Sequence, residues 1–129
     1  MNYLTLPHII RLHDEMIHKM QGLKGFENSR IVYLDSALKH IQNDVFYPSF
    51  LDKLTHLFFA CIQFHPFLDG NKRTALLVAE LFIQYNNHIL PDDFYPKMEN
   101  IAVNVANGEI QKDKLKIIFQ EILNFPRST

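Results

Sequence analysis

The sequence is poor in several residue types and in net charge, and each scarcity argues against a class of protein. It contains one cysteine, four glycines and no tryptophan, and its net charge is only −1. A lone thiol cannot form an internal disulfide, which favours a reducing compartment. A nearly neutral chain argues against direct, non-specific nucleic-acid binding, because such binding needs a basic surface. Cys61 lies in an apolar run, where a buried structural thiol is more usual than a nucleophile.

Long apolar runs are missing as well. No segment reaches the roughly 20 apolar residues that a membrane-spanning helix needs. The first residues lack the basic and apolar regions of a signal peptide. We therefore expect a soluble, cytoplasmic protein with no membrane partner. Its 129 residues fit a single domain, 1–129, which can bury a core without disulfides or a structural metal.

Apolar residues at helical spacing are plentiful. From residue 6 to residue 20 they recur on one face, and Thr5 is suited to cap that helix. The spacing and the breaks between segments predict helices over 6–20, 31–45, 50–64, 71–86, 92 or 93 to 107, and 112–124. The third and fourth are apolar on most sides, which is typical of central helices. The predicted fold is all-α, with a loosely held tail from Pro126 to Thr129.

The loop between the two central helices carries the most informative pattern. Residues 65–73 read His-Pro-Phe-Leu-Asp-Gly-Asn-Lys-Arg. The fourth helix opens at Asn71, so its first turn offers unpaired N–H groups and the positive end of the helix dipole to an anion. Gly70 lets the backbone approach a ligand closely. Lys72 and Arg73 are cations at the helix end where cations normally destabilise. A bound phosphate would resolve that conflict, which makes Gly70 to Arg73 a candidate phosphate site.

Two further side chains of the loop complete a set of catalytic parts. Asp69 offers a hard oxygen ligand for Mg²⁺, an ion usually held by one or two carboxylates together with nucleotide phosphates. His65 has an ordinary pKa near neutrality, which suits a base that takes a proton from an alcohol. Phe67 is predicted to be a buried anchor. A base, a metal ligand and a phosphate cradle are what phosphoryl-type transfer requires.

As a unit, residues 65–73 resemble the signature loop of the Fic/Doc superfamily, His-x-Phe-x-Asp/Glu-Gly/Ala-Asn-x-Arg. Segments along nearly the whole chain, including 12–14, 34–38 and 107–109, resemble the death-on-curing (Doc) branch. The resemblance implies a compact Fic-type bundle of about six helices with a central helix–loop–helix. It also implies His65 as the catalytic base, Asp69 as the Mg²⁺ ligand and Gly70 to Arg73 as the nucleotide phosphate site.

Two positions depart from the AMP-transferring members of the superfamily. Those enzymes usually have glycine where this chain has Lys72, and a second arginine where it has Leu76. Both differences match the Doc branch, which implies a kinase-like enzyme that moves the γ-phosphate of ATP, with Mg²⁺, to a protein hydroxyl. In that branch the target is a threonine of elongation factor Tu, and its modification arrests translation. The chain would then be the toxin of a type II toxin–antitoxin pair.

Regulation by a separate protein is a further expectation. Many Fic enzymes silence themselves with a Ser/Thr-x-x-x-Glu-Gly/Asn segment. Here the Glu-Asn pairs at 27–28 and 99–100 are preceded at the required position by Leu23 and Tyr95. We therefore expect inhibition in trans by an antitoxin whose disordered tail folds on binding.

Other interpretations of the sequence stay open. The same loop could serve a protein AMP or nucleotidyl transferase. The chain could also be a catalytically idle binding module of an operon-regulating complex, although the intact set of His65, Asp69, Asn71 and Arg73 argues against that. His13 and Asp14 could form a second catalytic pair. The position of His13 on the apolar stripe of the first helix favours a buried structural role instead.

Overall fold

Capping side chains define where several helices begin. In the computed structural model, which describes residues 1–126, the Thr5 hydroxyl accepts a hydrogen bond from the N–H of His8. Ser49 and Asp52 form a reciprocal capping box. The helices are α1 (Leu6–Met20), α2 (Asn28–His40), α3 (Phe50–Gln63), α4 (Asn71–Tyr85), α5 (Phe94–Ala106) and α6 (Lys112–Ile122). No β-strand occurs among the described residues, so the all-α prediction is confirmed.

The second helix departs from its prediction, whereas the ends of the others agree to within two residues. It was expected over 31–45 and spans Asn28–His40. The Asn43 carboxamide accepts hydrogen bonds from two following backbone N–H groups, a local turn that competes with the helix. The ammonium of Lys53, from α3, donates to the carbonyl of Ile41. This tertiary contact satisfies the backbone at the shortened end. The predicted loose tail lies, from residue 127 onward, outside the described residues.

The two central helices predicted from apolarity form the middle of the structure. Nine of the fourteen residues of α3 are buried. This helix packs against α4, α6, α2 and α5, while α4 also contacts α1 and α5. Phe58 and Phe82 are completely buried within this layer. Because α3 and α4 are held on several sides, the loop that joins them has a rigid base. No described helix is long and apolar enough to cross a membrane.

Candidate active site

The loop between α3 and α4 is held by hydrogen bonds at its centre. The Asn71 carboxamide accepts from the N–H of Phe67 and donates to its carbonyl, both at 2.9 Å. Phe67 is only 1% exposed, which confirms its predicted role as a buried anchor. On the other side, Glu27 N–H donates to the Pro66 carbonyl and Leu68 N–H donates to the Gly25 carbonyl. The α1–α2 connection therefore braces the loop.

Gly70 has a conformation and a setting that fit glycine. Its φ of +77° lies in the left-handed region, where residues with a side chain are strained. A Cβ there would lie 2.9 Å from Cε of Met16 and 3.0 Å from Cδ1 of Ile17. Gly70 is the N-cap residue of α4 and has no side-chain cap. The first N–H groups of the helix, from Asn71 to Arg73, thus lack carbonyl partners within the helix.

A cavity of about 480 Å³ opens over this helix start. All six predicted site residues line it: His65, Asp69, Gly70, Asn71, Lys72 and Arg73. Lys72 and Arg73 are exposed, whereas Asn71 is buried. Because the Asn71 side chain is taken up by Phe67, its contribution to an anion site would be its backbone N–H. The cavity volume lies within the range of small-molecule sites.

His65 lies between two open spaces. Its backbone is left-handed, with φ +49°, and its side chain is exposed two residues beyond the end of α3. It lines the first cavity and also a second one of about 760 Å³, whose wall includes Glu27, Ser29 and Arg30. An imidazole in this position can exchange a proton between groups that enter from different sides.

Asp69 presents an exposed carboxylate to the first cavity. Its Oδ2 accepts a hydrogen bond of 3.1 Å from the N–H of Leu23, and no other described residue donates to this carboxylate. No cluster of three histidine, cysteine or acidic residues suited to a metal occurs between residues 1 and 126. A divalent ion here would therefore depend on Asp69, ligand phosphates and water. That ligand set is typical of Mg²⁺ at nucleotide sites.

One wall of the cavity was missed by sequence reasoning. It comes from α5 and consists of Tyr95, Glu99, Asn100, Ala102, Val103 and Ala106. Burial raises the pKa of the Tyr95 hydroxyl, and the nearby Glu99 and Glu80 act in the same direction, while Arg73 opposes them. These residues carry no motif, and only the packing of α5 on α4 brings them to the site. The polar residues of α5 were the one feature of the sequence that could have indicated this wall.

Three residues considered from the sequence have clear positions. His13 is completely buried, as its place on the apolar stripe predicted. Cys61 is 1% exposed, and burial raises the pKa of its thiol to about 12, which makes a thiolate nucleophile unfavourable. His56 packs at 4.8 Å from the Tyr47 ring, away from the cavity.

Comparison of the sequence with known proteins gives two matches. A sequence model of the Fic/DOC family matches residues 3–83, which include α1, α2, α3, the loop and most of α4. A relative named Protein kinase doc, from Escherichia phage P1, is 32% identical over 114 residues. The match covers 85% of this chain and 86% of the relative. A match of this length must extend past residue 83 and include α5.

Proposed function

This chain belongs to the Fic/DOC family, and on that premise we propose that it transfers the γ-phosphate of ATP to a protein hydroxyl. The observation that carries the proposal is the convergence of His65, Asp69 and the first turn of α4 on one cavity. These are the three parts that phosphoryl transfer needs. The similarity to a relative named as a protein kinase supports the phosphate, rather than AMP, as the transferred group.

His65 is the proposed general base. The target hydroxyl would enter through the second cavity, and its oxygen would attack the γ-phosphorus. The bond from that phosphorus to the β–γ bridging oxygen breaks, and ADP leaves. The hydroxyl proton passes to the imidazole of His65, which later releases it to water. The place of His65 on the walls of both cavities supports this role.

The start of α4 is the proposed phosphate cradle. Its N–H groups and the positive end of its dipole favour negative charge. Lys72 and Arg73 add two cations in the same turn. Without an anion these charges would repel the helix dipole, so a bound polyphosphate stabilises this end of the helix. Glycine at residue 70 permits the left-handed backbone with which this helix starts beside Met16 and Ile17.

Asp69 is the proposed ligand for Mg²⁺. When bound, the ion would neutralise phosphate charge and orient the phosphates. The protein's own contribution is to hold a carboxylate at the cavity wall, and the Leu23 N–H bond to Oδ2 does so from outside the loop.

The proposed biological role is the one that the resemblance to the Doc branch implies. We propose that the chain is the toxin of a toxin–antitoxin pair, that its target is a threonine of elongation factor Tu, and that phosphorylation stops translation. Inhibition would come from a separate antitoxin. Leu76, which lines the cavity, offers no charge for a nucleotide's terminal phosphate, and this supports the kinase branch over AMP transfer.

Labelled ATP tests the proposal. The purified chain is incubated with Mg²⁺, purified elongation factor Tu and ATP labelled at the α or the γ position. We expect γ-label on the factor, and a rate about 10²- to 10⁴-fold lower for His65→Asn, as for loss of a general base. Asparagine is chosen because it tolerates the left-handed backbone. The matched control is His18→Asn, at an exposed histidine outside the cavity.

Each other outcome has a definite meaning. α-Label that depends on His65 would replace the kinase with an AMP transferase. γ-Label only on another protein of a bacterial lysate would retain the reaction and reject the named target. No label from either ATP, with the factor or with lysate, would reject the proposed activity and favour a binding module.

A further inference from the structure

His13 contacts the active-site loop although it is distant in sequence. It lies on α1, is completely buried, and its Nε2 is 2.8 Å from the backbone carbonyl oxygen of Asp69. Because a carbonyl oxygen only accepts hydrogen bonds, Nε2 must be the donor. The ring also stacks on Phe67, with centroids 3.9 Å apart and planes at 10°. Simple core packing would require neither the donor nor this orientation.

A second contact reaches the side chain of the same aspartate. The N–H of Leu23, just after α1, donates to Asp69 Oδ2. Gly22 precedes it, and a Cβ on Gly22 would lie 2.7 Å from that oxygen. The absence of a side chain at residue 22 is therefore what leaves room for the carboxylate. The other Asp69 oxygen has no described protein donor.

We propose that α1 and the segment after it orient Asp69 for the metal–nucleotide complex, with His13 as a positioning residue. This inference rests on the role of Asp69 in the proposed function. His13 holds the backbone of Asp69, Phe67 fixes the plane of the histidine ring, and Leu23 fixes one carboxylate oxygen. Mg²⁺ demands near-ideal octahedral geometry, so a ligand free to rotate would bind it less well. Partners of metal ligands commonly contribute in this way.

Two substitutions at residue 13 separate the hydrogen bond from packing. His13→Phe keeps an aromatic ring against Phe67 and removes both the Nε2 donor and the 3.3 Å contact of Nδ1 with Oδ1 of Asp14. His13→Gln restores an N–H near the position of Nε2 and removes the ring. We expect His13→Phe to lower kcat about 10- to 100-fold with a folded protein, and His13→Gln to recover part of that loss. A residue needed only for packing would give the opposite order.

The control for loss of a buried polar group is Thr55→Val. The Thr55 hydroxyl is buried and has no hydrogen-bond partner among residues 1–126, and it lies outside the first cavity. We expect this variant to transfer phosphate at the wild-type rate.

Gly22→Ala tests the side-chain contact and leaves His13 in place, although its Cβ would also lie 3.1 Å from Cδ1 of the buried Ile17, which must shift slightly. The added methyl must displace Oδ2 of Asp69, the end of a flexible side chain, while Gly22 itself is exposed. The control is Val45→Ala, which shortens a side chain that is 84% exposed and lines neither of the two cavities. We expect slower transfer from Gly22→Ala only. This variant tests the proposal even if substitutions at His13 prevent folding.

Metal binding provides a readout that does not depend on activity. Mn²⁺ is titrated by electron paramagnetic resonance in the presence of a non-hydrolysable ATP analogue. We expect about 10- to 100-fold weaker binding for His13→Phe and Gly22→Ala, and no change for the Thr55 and Val45 controls. Unchanged Mn²⁺ affinity and kcat in both test variants would overturn the positioning role. An inactive wild type that still shows the affinity losses would reject the proposed activity alone.

Discussion

At the scale of single residues, Lys72 is the cation beside Asn71 that we expect to influence which phosphate the site transfers. Lys72 and Arg73 are both exposed on the cavity wall, and neither is needed for packing. Their positions at a helix N-terminus are unfavourable unless an anion is present. Ligand preference can therefore be changed here with little effect on the fold.

Lys72→Gly is the corresponding prediction. Glycine removes the bulk and charge that distinguish this loop from the AMP-transferring pattern, so we expect His65-dependent α-label on protein and a fall in γ-transfer. The measurement is the ratio of α- to γ-label incorporated. Lys72→Ala is the control, since it removes the charge but keeps a helix-favouring residue. A Lys72→Gly chain that incorporates no α-label would contradict the prediction.

At the scale of secondary-structure elements, the α3–loop–α4 unit depends on one buried amide. The Asn71 side chain makes a pair of hydrogen bonds to Phe67 that resembles the pairing of two strands. It joins the first residue of α4 to the middle of the loop. The short antiparallel bridge between Phe26 and Phe67 adds a second attachment.

Asn71→Ala is expected to destabilise the protein and disorder the loop. The Phe67 N–H and carbonyl would lose their partners, at roughly 1–3 kcal/mol for each buried group left unpaired. Urea unfolding measures the loss. The stability of Asn71→Asp should lie between those of the wild type and Asn71→Ala. A carboxylate still accepts a hydrogen bond from the Phe67 N–H but cannot donate one to the Phe67 carbonyl. Equal stability of Asn71→Ala and wild type would show that the loop is held by other contacts.

At the scale of the whole molecule, His56 links the stability of the fold to pH. It is half-buried on α3, and Nζ of Lys112 from α6 lies 2.7 Å from its Nδ1. Burial, together with the charges of Lys112 and His40, lowers the pKa of His56 to about 4. Protonation of this ring is thus opposed by the packing of two helices.

The sign of the effect follows from proton binding. Below its ordinary pKa of about 6.5 the unfolded chain binds a proton at His56 that the folded chain excludes down to about pH 4. The free energy of unfolding should therefore decrease as the pH falls through this window. Urea unfolding at about pH 7 and about pH 5 measures it, and His56→Gln should reduce the difference. His18→Gln, at an exposed histidine, should leave that difference unchanged. If His56→Gln showed the same difference in the free energy of unfolding as the wild type, the prediction would be contradicted.

Much of this protein was predictable from local information. Helical spacing identified six helices, and the all-round apolarity of two of them placed them at the centre. Thr5 and Ser49 cap helices as expected because a capping hydroxyl acts on N–H groups within three residues. The motif from His65 to Arg73 could be located as a unit because its members are consecutive. Their joint position on one cavity is now established, while their catalytic roles remain predictions.

What the sequence by itself determined, then, is each feature whose interacting groups lie within a few residues of one another: helix type, caps and the composition of the loop. Tertiary structure supplied the Lys53 contact that satisfies the Ile41 carbonyl at the early end of α2, and it alone decided the contribution of α5 to the cavity. It also decided the contact of His13 with Asp69, separated by 56 residues. Such contacts depend on how helices pack in three dimensions, and no periodicity in one chain segment encodes the partner that lies across the core.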